Sequence, residues 1–322
     1  MVERTVPVYL LTGFLGSGKT TLLRRLIDDA NGRGWKPAVL MNEAGDVNLD
    51  GMLVGTEVPM AEMLGGCICC TVRADLGVEL MSLVKEHDPD VIWIESTGVA
   101  EPLEIIDGVT EASFYGRIEL KGVVTVVDAR HLLDRMRIGT GKTYRLMQDQ
   151  IRAASLVVLN KTDLVAPAER DELAERLADW NAGAAIVQTV GAELDPERIY
   201  GIHEGLPAQT ADQEHRHEHH HEHHHGHHHV RAMTRYLKGP VDSHAFEAFV
   251  GRLPEGVYRA KGIVSFRDTA NRYLFQYAYR QSDFLPIRPQ KTVHDVLVFI
   301  GEDFSESDLD AELDKLTAED RN

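Results

Sequence analysis

The sequence predicts an α/β chain in two parts: a mainly parallel sheet flanked by helices, then a smaller α+β unit. Three observations point there. Apolar runs of strand character recur at residues 8–11, 36–41, 91–94, 122–127, 156–159 and 184–189. Helical periodicity separates several of them, as in a sheet built from strand–helix units, and most end in glycines or polar groups, where such sheets carry their chemistry. Between residues 206 and 229 the composition turns abruptly to histidine and glutamate, and segments of another kind follow. At 322 residues the chain has length for about two domains and an ample core.

The first run organises the rest. Val8, Leu10 and Leu11 lead into a glycine-rich turn, and Leu22, Leu23, Leu26 and Ile27 follow at helical spacing. Gly13, four residues, then Gly18-Lys19-Thr20 fit the phosphate-binding P-loop pattern in its strand–turn–helix context. Gly13, Gly16 and Gly18 allow the backbone to turn successive N–H groups toward a polyanion at a helix N-terminus. Lys19 supplies a point charge to the β- and γ-phosphates, and the Thr20 hydroxyl is suited to ligating a bridging Mg²⁺. Ser17 and Thr21 complete this nucleotide-binding set.

The run at 36–41 ends in Asn42-Glu43-Ala44-Gly45-Asp46. Carboxylates at a strand's carboxyl end suit sensing of Mg²⁺ or the γ-phosphate, and equally suit a solvated loop. Gly65-Gly66-Cys67-Ile68-Cys69-Cys70 comes next, before a helical pattern through Leu76, Leu80, Leu83 and Val84. Three thiols in four residues offer soft ligands for Zn²⁺ or another thiophilic ion. A closed structural zinc site needs four ligands, so three fit a site that accepts an ion and passes it on.

The run at 91–94 leads to Glu95-Ser96-Thr97-Gly98, an apolar strand plus an acid. Glu95 is placed to hold Mg²⁺ through its water shell, and Gly98 to bring an N–H near the γ-phosphate. Lys19, Thr20 and Glu95 are therefore the candidate catalytic residues. No glutamine follows Gly98 to orient water, and Glu101 is a candidate by proximity alone. His131 closes Asp128-Ala129-Arg130-His131, where a lone histidine is a structural hydrogen-bonding group or a ligand. Asn160-Lys161-Thr162-Asp163 reads guanine: Asp163 accepts from N1 and the exocyclic amine, the Lys161 stem covers the ring, and Asn160 braces the loops.

A net charge of -17 and a pI of about 5.4 exclude a basic face for nucleic acid or an anionic membrane surface. No apolar run reaches the ~18 residues of a membrane span, and no cleavable signal precedes the first strand. The expected location is cytoplasmic. All three cysteines cluster at 67–70, so they form one site rather than a disulfide framework. Eleven histidines between His215 and His229 predict a disordered linker that buffers Zn²⁺, Ni²⁺ or Co²⁺. Beyond it, a helix over 242–253, strands over 256–266, 272–279 and 293–300, and a helix after Ser305 make the α+β unit.

The segments GFLGSGKTTL, NEAG, GGCICC, ESTGVAEP, VVDARH and LVVLNKTDL, in that order, resemble those of the CobW-type GTPases of the G3E class. The resemblance covers essentially the whole chain. It implies a P-loop NTPase fold, with domains at 1–205 and 233–322 joined by a linker at 206–232. It also implies slow, Mg²⁺-dependent hydrolysis of GTP to GDP, coupled to delivery of a metal ion to a metalloprotein client. Cys67, Cys69 and Cys70 match the family's metal site, and Glu43, Asp46 and His131 align with positions tied to metal or nucleotide sensing. Zinc is the favoured ion. Cobalt handling in cobalamin synthesis and a histidine-rich metal store are the alternatives, and a homo-oligomer is compatible with the reading. Ala44, Ser155 and the absence of a tryptophan near Lys261-Gly262 depart from the family pattern.

Overall fold

The computed structural model describes residues 4–43, 58–64, 71–203, 231–278, 280–289, 292–302 and 304–318. Asp46, Cys67, Cys69, Cys70 and the histidine-rich tract lie outside them, as does the side chain of Glu43. The chain opens with β1 (Val6–Thr12), α1 (Lys19–Gly32), β2 (Pro37–Glu43) and β3 (Met60–Leu64). It continues through α2 (Thr71–His87), β4 (Val91–Ser96), α3 (Pro102–Ser113), β5 (Ile118–Asp128), α4 (Ala129–Ile138) and α5 (Lys142–Arg152). The first part ends with β6 (Leu156–Asn160), α6 (Pro167–Trp180), β7 (Ala185–Gln188) and α7 (Glu197–Tyr200).

These strands form one sheet in the order β3-β2-β4-β1-β5-β6-β7. Every neighbouring pair is parallel, so the sheet is wholly rather than mainly parallel. Its central strands read as continuous apolar runs because helices cover both faces. Tyr9, Leu11, Val39, Trp93 and Val124 pack with Leu22, Leu23 and Leu26 of α1. The alternate residues Val8, Leu10, Leu40, Ile92 and Ile94 pack with Leu76 and Leu80 of α2 and Ile105, Ile106 and Val109 of α3. At β1 the order changes direction, with β2 to β4 on one side and β5 to β7 on the other. The crevice beyond the carboxyl end of β1 is where such sheets take ligands.

The second part holds β8 (Arg231–Tyr236), α8 (Ser243–Val250), β9 (Val257–Ser265), β10 (Arg272–Ala278), β11 (Gln281–Ile287), β12 (Val296–Gly301) and α9 (Glu306–Ala318). Its antiparallel sheet runs β11-β10-β9-β12-β8. One face carries Phe275, Leu297 and Phe299 against Phe246 and Phe249 of α8 and Leu309 and Leu313 of α9. From the other, Ala232, Val298 and Ile300 join the core of the first part.

Helix α3 is held between the two sheets. Asp107 and Glu111 lie one turn apart on it, and Arg259 and Lys261 lie two residues apart on β9, so each pair shares a face. Arg259 pairs with Asp107 at 2.8 Å, and Lys261 pairs with Glu111. The Tyr236 hydroxyl accepts from the Ile118 amide at 3.0 Å and lies 2.7 Å from the Gly116 carbonyl oxygen, its nearest acceptor. Ser155, where the family pattern has aspartate, accepts from the Val123 amide through its hydroxyl at 3.2 Å.

Several elements differ from the sequence reading. The sequence reading does not contain α3, α4, α7, β3, β8 or β11. Asn42 and Glu43 complete β2 rather than opening a loop, and β5 starts at Ile118, well before residue 122. The helix expected at 242–253 is shorter: Asp242 caps its start by accepting from the Ala245 amide at 2.8 Å, and Gly251 takes the C-cap position. The strand expected from residue 293 starts at Val296, while Val293 packs beside Phe114. No helix among the described residues is long and apolar enough to cross a membrane.

Candidate functional site

The phosphate cradle sits at the carboxyl end of β1. Gly13 and Gly18 have φ of 131° and 113°, in the region that favours glycine. A Cβ on Gly13 would lie 2.1 Å from the Val126 carbonyl oxygen, and one on Gly18 would lie 2.5 Å from Asn160 Nδ2. No side chain caps the N-terminus of α1, and no acid stands in its first turn. The helix thus presents its positive end to the cradle. Lys19 Nζ donates to the Gly13 carbonyl at 2.9 Å. Ser17 is buried, and its hydroxyl has no hydrogen-bond partner among the described residues. Thr21 is exposed on the first turn.

Thr20 Oγ1 donates to Glu95 Oε1 at 2.8 Å, joining the start of α1 to the end of β4. Glu95 is 4% exposed. A hydroxyl and a carboxylate brought together beside a phosphate cradle are an oxygen donor set suited to Mg²⁺. Gly98 comes so close to the cradle that a Cβ there would meet the Leu15 backbone nitrogen at 2.5 Å. Glu101 is exposed and occupies the N-cap position of α3, where its side chain makes no capping bond.

The base-reading loop is joined to the same cradle. Asn160 Nδ2 donates to the Ser17 carbonyl at 2.8 Å, while its Oδ1 accepts from the Ala192 amide at 2.8 Å and the Thr189 hydroxyl at 3.1 Å. Lys161 Nζ donates to the Gly16 carbonyl at 2.7 Å and pairs with Asp128 at 2.8 Å. Asp163 lies in the one-turn 3₁₀ segment Thr162–Leu164 and is exposed, leaving its carboxylate open to a ligand. Asp128 was missed by sequence reasoning. It caps α4, accepting from the His131 amide at 3.0 Å, and orients Lys161.

The metal candidates divide. In the parallel register Glu43 pairs with Leu64, and Asn42 pairs with Ser96 on the other side. Leu64, the last residue of β3, therefore ends beside Glu43 and two strands, about 10 Å, from the end of β4, and the thiol run Cys67-Ile68-Cys69-Cys70 lies outside the described residues. His131 stands elsewhere. It follows β5, four strands from β3 and so about 19 Å away in the plane of the sheet. Its Nε2 accepts from Arg135 Nε at 3.1 Å, and its ring meets Phe14 edge-on with centroids 5.0 Å apart. Among the described residues no three His, Cys, Asp or Glu side chains gather to hold a metal ion.

The family described as "CobW/HypB/UreG, nucleotide-binding domain" matches residues 7–188, and the "Cobalamin synthesis protein cobW C-terminal domain" matches residues 230–317. The chain is 31% identical over 323 residues to the zinc chaperone YjiA of Escherichia coli (strain K12), covering 95% of this chain and 97% of that protein. It is 32% identical over 241 residues to the zinc chaperone CobW of Sinorhizobium sp, covering 66% and 67%. The crystal structure of Zn(II)-bound YjiA GTPase from E. coli aligns over 98% of this chain and 99% of that one, with 25% identity and a TM-score of 0.48. With a match to its nucleotide-binding domain over residues 7–188 and to its C-terminal domain beyond, this chain belongs to the CobW family.

Proposed function

We propose that this protein is a metallochaperone that hydrolyses GTP to GDP and phosphate to drive transfer of a metal ion, zinc, to a client metalloprotein. The observation that carries the reading is the joining of a guanine-reading loop to a phosphate cradle that already holds the Thr20–Glu95 pair. Relatives named zinc chaperones, and others named zinc-regulated GTPase metalloprotein activators, support zinc as the cargo.

A nucleotide fits the residues present. The orphaned Ser17 hydroxyl, the uncapped α1 terminus and a Gly13 with no room for a side chain describe a cradle for phosphate oxygens. Lys19 exchanges the Gly13 carbonyl for the β- and γ-phosphates, and Asp163 accepts from the guanine edge. Thr20 and Glu95 would hold Mg²⁺, which would supply neutralisation of charge on the transferring phosphoryl group. Gly98 brings backbone, and no side chain, up to the γ-phosphate side of the cradle.

The thiolates of Cys67, Cys69 and Cys70 bind the cargo ion in this reading. In sequence the thiols stand between Glu43 and Glu95, so a switch movement at the γ-phosphate is coupled in this reading to the segment that carries them. The test is GTP turnover on metal-stripped protein given stoichiometric Zn²⁺, Co²⁺ or Ni²⁺, with a Cys67→Ser, Cys69→Ser, Cys70→Ser triple variant beside it. The expected result is that zinc changes turnover and the variant does not respond. A wild type indifferent to every metal overturns the coupling.

A further inference from the structure

The hydrolysis reading leaves one buried polar side chain without a role. Gln150, on α5, is 1% exposed. Its Nε2 donates to the Gly98 carbonyl at 3.2 Å and to the Ala100 carbonyl at 3.3 Å, so both amide hydrogens are spent on one loop. Burying a primary amide is costly unless its donors are satisfied, and here the partners are two carbonyls of the segment that follows Glu95.

That segment is a turn, closed by the Ala100 amide donating to the Thr97 carbonyl at 3.2 Å. It lies between the phosphate cradle and α5, since Gly98 abuts Leu15 on one side and bonds Gln150 on the other. A planar trans peptide points its N–H opposite to its C=O. With the Gly98 and Ala100 carbonyls fixed toward Gln150, the Val99 and Glu101 amides are fixed away from it.

Gln150 is itself anchored to the cradle. Thr125 Oγ1 donates to the Gln150 carbonyl at 2.8 Å and lies 2.8 Å from Thr12 Oγ1. Because Thr125 spends its hydrogen on Gln150, Thr12 is the donor in that second bond. Thr12 is the last residue of β1, directly before Gly13. The turn and the cradle are thus both referred to α5, one through the Gln150 side chain and the other through its backbone.

We propose that Gln150 is a positioning residue for GTP hydrolysis: it holds the Thr97–Ala100 turn in register with the phosphate cradle, so that the turn's backbone stands ready at the γ-phosphate. The inference rests on the hydrolysis reading given above. It predicts that removing the two donors slows the chemical step while leaving nucleotide binding to the cradle and base loop almost untouched.

The test compares wild type, Gln150→Met and Gln150→Leu. Methionine keeps the length and volume without a donor, and leucine is a shorter side chain that also lacks one. Steady-state GTP turnover is measured beside affinity for a fluorescent GDP analogue and thermal unfolding. The expected result is a kcat lower by at least about tenfold in both variants, with KM and GDP affinity within about twofold of wild type. A Gln150→Met protein that turns over like wild type overturns the proposal, because volume rather than donation is then what matters. If Gln150→Met fails to fold, Gln150→Leu decides in the same way, and full activity there overturns the proposal. Loss of GDP affinity in parallel with kcat also overturns it, showing a general disturbance of the fold. No turnover in the wild type is a different failure: it removes the hydrolysis reading, and this inference falls with it.

Discussion

The two sheets are built from strands of similar length, yet they do different work. In the parallel sheet every strand points the same way, so the carboxyl ends of β1, β2, β4, β5 and β6 open on one edge and deliver Gly13, Glu43, Glu95, Asp128 and Asn160 there. In the antiparallel sheet successive ends alternate, and no edge gathers chemistry. What it offers is a face. Through Arg259, Lys261 and Tyr236 it holds α3 and the chain that follows it, and α3 begins just after the turn bonded by Gln150. One sheet concentrates groups, and the other restrains the helix by which those groups can be moved.

The largest effect expected from separating these roles is at Gly98. Gly98→Ala drives a methyl group into the Leu15 backbone, and GTP turnover should fall on the order of a hundredfold with little change in unfolding temperature. Turnover within twofold of wild type would show that the cradle yields there.

Tyr236→Phe acts on the face instead. It removes the bond from the Ile118 amide, which keeps the Gly116 carbonyl at 2.9 Å, and the bond that the hydroxyl itself donates, and at about 0.5–1.5 kcal/mol each these should cost about 1–3 kcal/mol in urea unfolding. Burial holds the Tyr236 phenol well above its ordinary pKa, and burial likewise pushes Tyr258 up to about 12. A raised folded pKa gives stability that is complete below the unfolded value near 10 and is lost as pH rises through the folded one. Alkaline unfolding should therefore begin above about pH 10, and the phenylalanine variant should show a shallower slope. An unchanged slope would assign the alkaline loss to other groups.

Asp107→Asn breaks an ion pair whose acid is 3% exposed while Arg259 is 39% exposed. A loss of about 1–2 kcal/mol is expected, smaller than the tyrosine change because Arg259 can turn to water. Stability measured with a Lys261→Met partner in a double-mutant cycle should show coupling, since both pairs hold the same face of α3. Strict additivity would mean that the two pairs act alone.

Asp90 lies at the far, amino end of the parallel sheet, where it accepts from the Lys36 amide at 2.7 Å and pairs with Arg4. Desolvation pushes its carboxyl up, but these partners outweigh it and hold it below the usual value. Its contribution is present at neutral pH and is lost as pH falls through that lowered value. Asp90→Asn should cost less than about 1 kcal/mol at pH 7, and progressively less as pH falls below the usual carboxylate range, by thermal unfolding. GTP turnover should not change, which makes it the control for the other end of the sheet.

The same contrast governs what could be read from residues. β1, β4 and β6 announce themselves because both faces are buried and the runs are continuously apolar. β11 does not, since residues 281–287 are largely exposed and include Pro286, which only an edge strand tolerates. The signal for α3 was present in Pro102 at its first turn and in Ile105, Ile106 and Val109, but it was passed over among the motifs on either side. Within the site, Lys19, Thr20, Glu95 and Asn160 were legible because each sits at a fixed offset from a strand. Asp128 and Gln150 were not, because their partners lie 33 and about 50 residues away in sequence and only the fold brings them together.

The grip of Asn160 and Lys161 on the carbonyls of Ser17 and Gly16 carries a consequence for selectivity. Two loops from distant parts of the chain are latched together, and in the reading proposed above they make a calliper with a base reader on one jaw and a phosphate cup on the other. Its gap is fixed before any ligand arrives, so little conformational freedom remains to be lost on binding. Such an instrument gauges length as well as identity. A guanine without phosphates, or a polyphosphate without a base, fills one jaw and gains nothing from the other.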